Sequence, residues 1–147
     1  MRATAILENR MYADYFKNVD WNLLLEKELV EKHFDWIKVR IVNGAIWGSG
    51  VLIVNGNRYE VSLEYKPRID EFGRVDRFDR IRINGIKHHS KTHLYLDDTL
   101  CLYHPRIDRS PFRILPLVTI IPWISEWCIH YEEWKKYGTW LGKEIEH

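Results

Sequence analysis

The chain has 147 residues, the length of one domain, and its 46% hydrophobic and 14% aromatic content, with seven Trp, excludes a disordered polypeptide. Its 22 Lys and Arg against 21 Asp and Glu leave a formal net charge of +1. That balance gives no electrostatic case for a nucleic-acid or acidic-membrane partner.

Basic residues gather between Lys66 and Lys91, but Asp70, Glu71, Asp76 and Asp79 interrupt them, as on a solvated strand-and-loop face. The N-terminus lacks the charged, apolar and small-residue series of a signal peptide. The longest apolar run, Ile114 to Ile124, is broken by Pro116 and Pro122 and is too short to span a bilayer. A soluble, cytoplasmic protein is expected. No repeat, low-complexity tract or linker divides it, so residues 1–147 are read as one domain.

In chain order, Ala3 to Phe16 carries an imperfect helical pattern in Ile6, Leu7, Met11, Ala13, Tyr15 and Phe16. Asp20 is placed to cap a second helix, Leu23 to Phe34. From Ile37 the texture turns to β, with Ile37, Val39 and Ile41 alternating with charged residues. Asn43-Gly44 offers a turn into a strand over Ala45 to Val54, and Asn55-Gly56 is a strong type I′ hairpin signal. Tyr59, Val61, Leu63 and Tyr65 then alternate with Glu60, Ser62 and Glu64 until Pro67. A loop over Asp70 to Asp76 precedes a further strand, Phe78 to Ile83, and an Asn84-Gly85 turn. Strands joined by tight turns imply an antiparallel meander. Ile86 to Arg113 has little periodicity and four of the seven His, and long stretches of that kind are usually functional. A last helix is expected with Pro122 in its first turn, Ile124, Trp127, Cys128, Tyr131 and Trp134 on its buried face, and Gly138 as its stop. The fold class is therefore α+β.

Two cysteines are too few for a disulfide framework or a four-thiolate zinc site, so each is core filler or a working thiol. Cys128, between Trp127 and Tyr131 on an apolar helix face, reads as an inert small hydrophobe. Cys101 lies in Leu100-Cys101-Leu102-Tyr103, with His93 upstream and His104 three residues downstream. A loop thiol near imidazoles is partly ionised at neutral pH, as a nucleophile must be; a cysteine wedged between two leucines in a packed turn is the competing reading. His88, His89, His93, His104 and Cys101 lack the spacing of a zinc knuckle. A cysteine-protease dyad would need His33 or His130 brought in by accident of the fold. No G-x-G-x-x-G or Walker pattern occurs, so the chain shows no means of adenylating with ATP, and no cofactor or metal is assigned.

The stretch from His93 through Tyr95 and Leu100 to Cys101-Leu102 resembles the active-site segment of ubiquitin-conjugating enzymes, whose usual form is His-Pro-Asn, Ile-Tyr, a turn and Ile-Cys-Leu. Tyr95 falls on the family's aromatic position, Leu100 on its Ile and His93 on its Asn; Ser110-Pro111 keeps the end of its Trp-Ser-Pro. The bacterial branch is similar over Cys101-Leu102-Tyr103, Pro122-Trp123, Trp127, Tyr131-Glu132-Glu133-Trp134 and Gly138-Thr139-Trp140-Leu141-Gly142. The resemblance implies a ubiquitin-conjugating-enzyme-like fold with an N-terminal helix, a meander, a long active-site loop and a Trp-rich C-terminal helix. It implies a transferase whose Cys101 forms a thioester with a partner protein's C-terminus. For the type encoded in anti-phage CBASS operons, that partner is the tail of a cGAS-like nucleotidyltransferase, with or without a separate activating enzyme. His93 and Tyr95 would shape the pocket, with Asp98, Tyr103 and His104 in support. Lys91-Thr92-His93 departs from His-Pro-Asn, so His93 would donate a ring N–H to the oxyanion in place of the missing amide. Tyr103 stands two residues after the cysteine, where the family has a carboxylate. Two alternatives stay open: a non-catalytic module of the same fold that clasps the partner's tail, and a conjugating enzyme of another bacterial ubiquitin-like operon.

Overall fold

A computed structural model describes residues 19–67, 78–89, 92–102 and 114–140, with the side chains of 19–22 excepted. The expected helix over Ala3 to Phe16 and the loop over Asp70 to Asp76 lie outside them. The described elements run α1 (Val19–His33), β1 (Ile37–Val42), β2 (Ala45–Val54), β3 (Asn57–Tyr65), β4 (Asp79–Ile83) and α2 (Leu117–Tyr137). This is the α+β order expected.

The four strands form one antiparallel sheet in sequence order, β1-β2-β3-β4. Its register is fixed by two-residue turns. Asn43 and Gly44 have φ of 50° and 75°, and Asn55 and Gly56 have 52° and 81°, the left-handed pair that a type I′ turn requires. With the turns fixed, the pleat sends Ile37, Val39, Val61, Leu63, Ile81 and Ile83 to one face, where all are buried. The chain entering β1 crosses β2 closely. A Cβ on Gly50 would lie 2.1 Å from the Trp36 carbonyl oxygen, so only glycine fits there.

Both helices contribute to the core built on that face. α1 packs on β1 and on α2, and α2 on β2. α1 starts at Val19, which makes Asp20 its second residue and not its cap. Along α1, Leu23, Glu26 and Val30 share one buried stripe. Glu26 is 1% exposed, and its Oε2 accepts the Leu117 backbone N–H at 2.9 Å. The free amide at the start of α2 is thus capped by a carboxylate from α1.

α2 begins five residues earlier than Pro122 suggests. Pro116 occupies its N-cap, and Pro122 sits inside the helix without an amide to give. Losing that bond costs about 3 kcal/mol. Leu117, Ile120 and Ile121, buried by the extra turn and a half, are each worth about 1.5–3 kcal/mol. Burial wins. The other end follows expectation: Gly138, at φ 74°, donates its N–H to the Trp134 carbonyl at 2.8 Å and stops the helix.

Candidate active site

Residues 92–102 do not run as an open loop. Leu94 and Leu100 form an isolated antiparallel bridge. Tyr95 N–H donates to Thr99 O (2.9 Å), Asp98 N–H to Tyr95 O (2.9 Å) and Cys101 N–H to His93 O (3.0 Å). The result is a narrow hairpin with His93 and Cys101 side by side at its base. Leu100 N–H reaches Ile81 O at 2.7 Å, so the hairpin docks on the free edge of β4.

Polar contacts fasten its tip. Asp98 takes φ 67°, a conformation Asp tolerates. Its carboxylate accepts the His88 N–H at 2.6 Å and lies 3.7 Å from the Lys87 ammonium. Thr99 donates both its N–H (3.1 Å) and its hydroxyl (2.5 Å) to Asp97 Oδ1, and Arg82 Nε donates to the Asp97 carbonyl at 3.3 Å. Between Tyr95 and Asp97, Leu96 is 87% exposed. Asp98, expected from the resemblance in a supporting role, bonds the chain around the turn; Tyr95 is half-buried within it.

At the base, helix α2 holds the hairpin from behind. Trp127 Nε1–H donates to the His93 carbonyl at 2.8 Å, which thus accepts from Trp127 and from Cys101 together. The His93 ring stacks on Trp140, with centroids 4.7 Å apart and planes 8° from parallel. Trp140 also meets Trp127 at 5.4 Å and His130 at 5.9 Å, while His89 lies 5.1 Å from Trp134. Trp127 and Trp140 are thereby core-facing residues beside the site, and both were missed as contributors to it. Nothing in the sequence near His93 announces a partner 34 residues away.

The setting of Cys101 is not that of a thiol in a polar loop. The residue is 3% exposed, next to Leu100 at 1%. It counts among the buried core residues, beside Leu94 and Leu100. Tyr103 and His104 lie outside the described residues. An open groove of about 440 Å³ runs beside the turn, lined by Arg82, Ile86, Lys87 and Asp98 among others, and Cys101 is not in its wall. Among the described residues no group of three or more His, Cys, Asp or Glu is arranged to hold a metal ion.

Cys128 is wholly buried, and burial, with the Glu132 carboxylate nearby, pushes its thiol up to about 12. It is inert at neutral pH. Glu132 itself joins α2 to the β2–β3 turn, accepting the Tyr59 hydroxyl at 2.5 Å and the Asn55 amide at 3.1 Å. Burial presses its carboxyl toward the neutral form, but the bonds from Tyr59, Asn55 and Asn57, with Lys135 nearby, outweigh this and hold it below the usual carboxylate range. Burial and the same hydrogen bond push the Tyr59 hydroxyl well above its ordinary value.

Residues 26–147 match the family model described as type II CBASS E2 protein. The chain belongs to that family. The match takes in α2, the whole sheet, the hairpin and the second half of α1, and it makes the chain an E2-like protein of bacterial antiviral defence. No curated protein and no solved structure matches it. No helix of this E2-like protein, among its described residues, is long and apolar enough to cross a membrane.

Proposed function

We propose that this CBASS E2-like protein is a cysteine-dependent conjugating enzyme, in which Cys101 carries a partner protein's C-terminus as a thioester. The Cys101 thiolate attacks the activated C-terminal carbonyl carbon. A C–S bond forms, and the bond to the leaving group breaks as that group departs with the electron pair. An incoming nucleophile then takes the acyl group and returns the thiolate. His93 donates a ring N–H to the developing oxyanion, a contribution of roughly 3 kcal/mol in acyl-transfer sites of this kind. The partner is the tail of a cGAS-like nucleotidyltransferase, and activation comes from another protein, a reading supported by the lack of a Walker or G-x-G-x-x-G pattern in the sequence.

One observation carries this reading above the others. In a chain of an E2 family, Cys101, which by resemblance falls on the nucleophile position of ubiquitin-conjugating enzymes, donates its own amide N–H to the carbonyl of His93, which by resemblance falls on their asparagine position. A second reading has an observation of its own: the 3% exposure of Cys101 favours a module that clasps the tail without a covalent bond. Co-expression with the nucleotidyltransferase separates them. The enzyme gives an adduct by intact mass and non-reducing gel that a thiol reductant removes and Cys101→Ala abolishes. A C101A variant that retains both tail binding and phage protection would establish the module instead.

A further inference from the structure

Two residues beyond its Gly138 stop, the chain after α2 has turned back so that Trp140 lies against His93. The indole is 9% exposed and wedged among Trp127, His130 and the His93 ring. The backbone of His93 is already fixed, because its carbonyl accepts from both Cys101 N–H and Trp127 Nε1–H. What those two bonds leave undetermined is the rotation of the imidazole about its side-chain bonds. A near-parallel stack at 4.7 Å restricts that rotation. It does so by occupying a face of the ring and not its edge, where both nitrogens lie.

We infer that Trp140 is a positioning residue, which sets the orientation of the His93 imidazole beside Cys101 and so links the segment after α2 to the site. The inference rests on the thioester reading for its kinetic consequence, but the orientation itself stands apart from it. The stack acts on the imidazole, the proposed oxyanion donor, so a loss of Trp140 slows the acylation step and not the binding of the acyl donor. Misplacing a catalytic group by about 1 Å costs up to roughly 100-fold in rate. The Trp140→Ala loss is therefore expected in the range of about 10- to 100-fold.

The probe is a short glycine-terminated peptide thioester of 2-mercaptoethanesulfonate. Cys101 sulfur bonds to its carbonyl carbon as mercaptoethanesulfonate leaves as a thiolate. Trp140→Ala lowers kcat for Cys101 acylation with KM unchanged, and Trp140→Phe, which keeps a stacking ring, recovers most of it. In a His93→Ala background the effect of Trp140→Ala is much smaller, since the stack on His93 is already lost and only the contacts with Trp127 and His130 remain. Where W140A does not fold, Trp140→Leu fills its place without a ring. Proton NMR of the unaltered protein needs no variant: the His93 ring protons resonate upfield of the other histidines, under the indole. Unshifted His93 protons would overturn the inference, as would W140A slowing H93A by the factor it slows the wild type. A wild type that is never acylated by the probe ends the thioester reading, while the ring shift still decides the orientation.

Discussion

Replacing Trp127 by Phe separates the attachment of the hairpin from the stability of the fold. The substitution keeps an aromatic ring in the core and deletes the N–H that reaches His93 O at 2.8 Å. The lost hydrogen bond is worth about 1 kcal/mol. The smaller ring forgoes roughly 50 Å² of burial, about 1 kcal/mol more at 25 cal/mol per Å². A global loss of about 2 kcal/mol lowers Tm by about 4–8 °C for a chain of this size. The hydrogen-bond share falls on the hairpin, so the amides of Tyr95 and Cys101 exchange about fivefold faster through local opening. Ile124→Val is the control. It costs about 1 kcal/mol in the same helix and loosens the core without touching His93. Hydrogen exchange followed by NMR reads both. A W127F protein that is less stable, yet exchanges Tyr95 and Cys101 amides at the wild-type rate, would refute the attachment.

Glu26→Ala leaves the Leu117 amide buried without its acceptor, at about 1–3 kcal/mol plus the cavity, whereas Glu26→Gln keeps an acceptor and loses about 1 kcal/mol of charge at the helix start; urea midpoints that rank the two variants equal would contradict the cap. Gly50→Ala sets a methyl 2.1 Å from the Trp36 carbonyl, a contact with backbone that no side-chain shift relieves, so the protein is expected to lose several kcal/mol or fail to accumulate, and a wild-type Tm would show the approach to be wrong. The Glu132 carboxyl is held below its unfolded value, so its contribution is present above about pH 4.5 and is lost as pH falls through the folded value. Glu132→Gln should flatten the stability profile between about pH 6 and 3 by a modest amount, since the group is partly exposed, and parallel profiles for the two proteins would remove Glu132 from the account.

The sheet was legible because its determinants are local. Alternation sets which residues face the core, and two Asn-Gly pairs set the register, so Tyr59 to Tyr65 is buried where expected. Gly138 was legible for the same reason. The errors arose where distant burial outweighs a local rule. Pro122 obeys a helix-start preference, but three aliphatic residues ahead of it are worth more inside. The Glu26 cap spans 91 residues of sequence, though a signal existed: the acid stands on the Leu23–Val30 stripe, where a solvated glutamate does not belong. Of the candidate site, Cys101 and His93 were singled out through resemblance, and the bond between their backbones follows from the hairpin. The packing of Cys101 was one of two readings left open, because a cysteine between two leucines fits a packed turn as well as it fits a reactive loop. Its docking on β4 is a tertiary event.

Burial of a nucleophile bears on how it is reached, and the hairpin allows the two routes to be told apart. Melting the turn breaks the bonds of Leu100 to Ile81, Cys101 to His93, Trp127 to His93 and Tyr95 to Thr99. At about 1 kcal/mol each these four alone sum to roughly 4 kcal/mol, and burial of Leu94 and Leu100 adds to it, so the open state is populated at most about once in 10³. A sulfur reached only through that state would be alkylated by iodoacetamide at least about 10³-fold more slowly than a thiol in an unstructured peptide of equal ionisation. Its rate would then follow the exchange of its own amide, and W127F would speed both alike. Thioester chemistry needs His93 and Cys101 together at the moment of attack, so it demands the other route, in which the sulfur is reached with the hairpin closed. Alkylation is therefore expected to outrun opening of the Cys101 amide and to be indifferent to W127F, with Cys128 silent throughout at neutral pH. If the two opening free energies coincide, reagent meets the thiol only after its oxyanion donor has gone, and a conjugating role for Cys101 cannot be sustained.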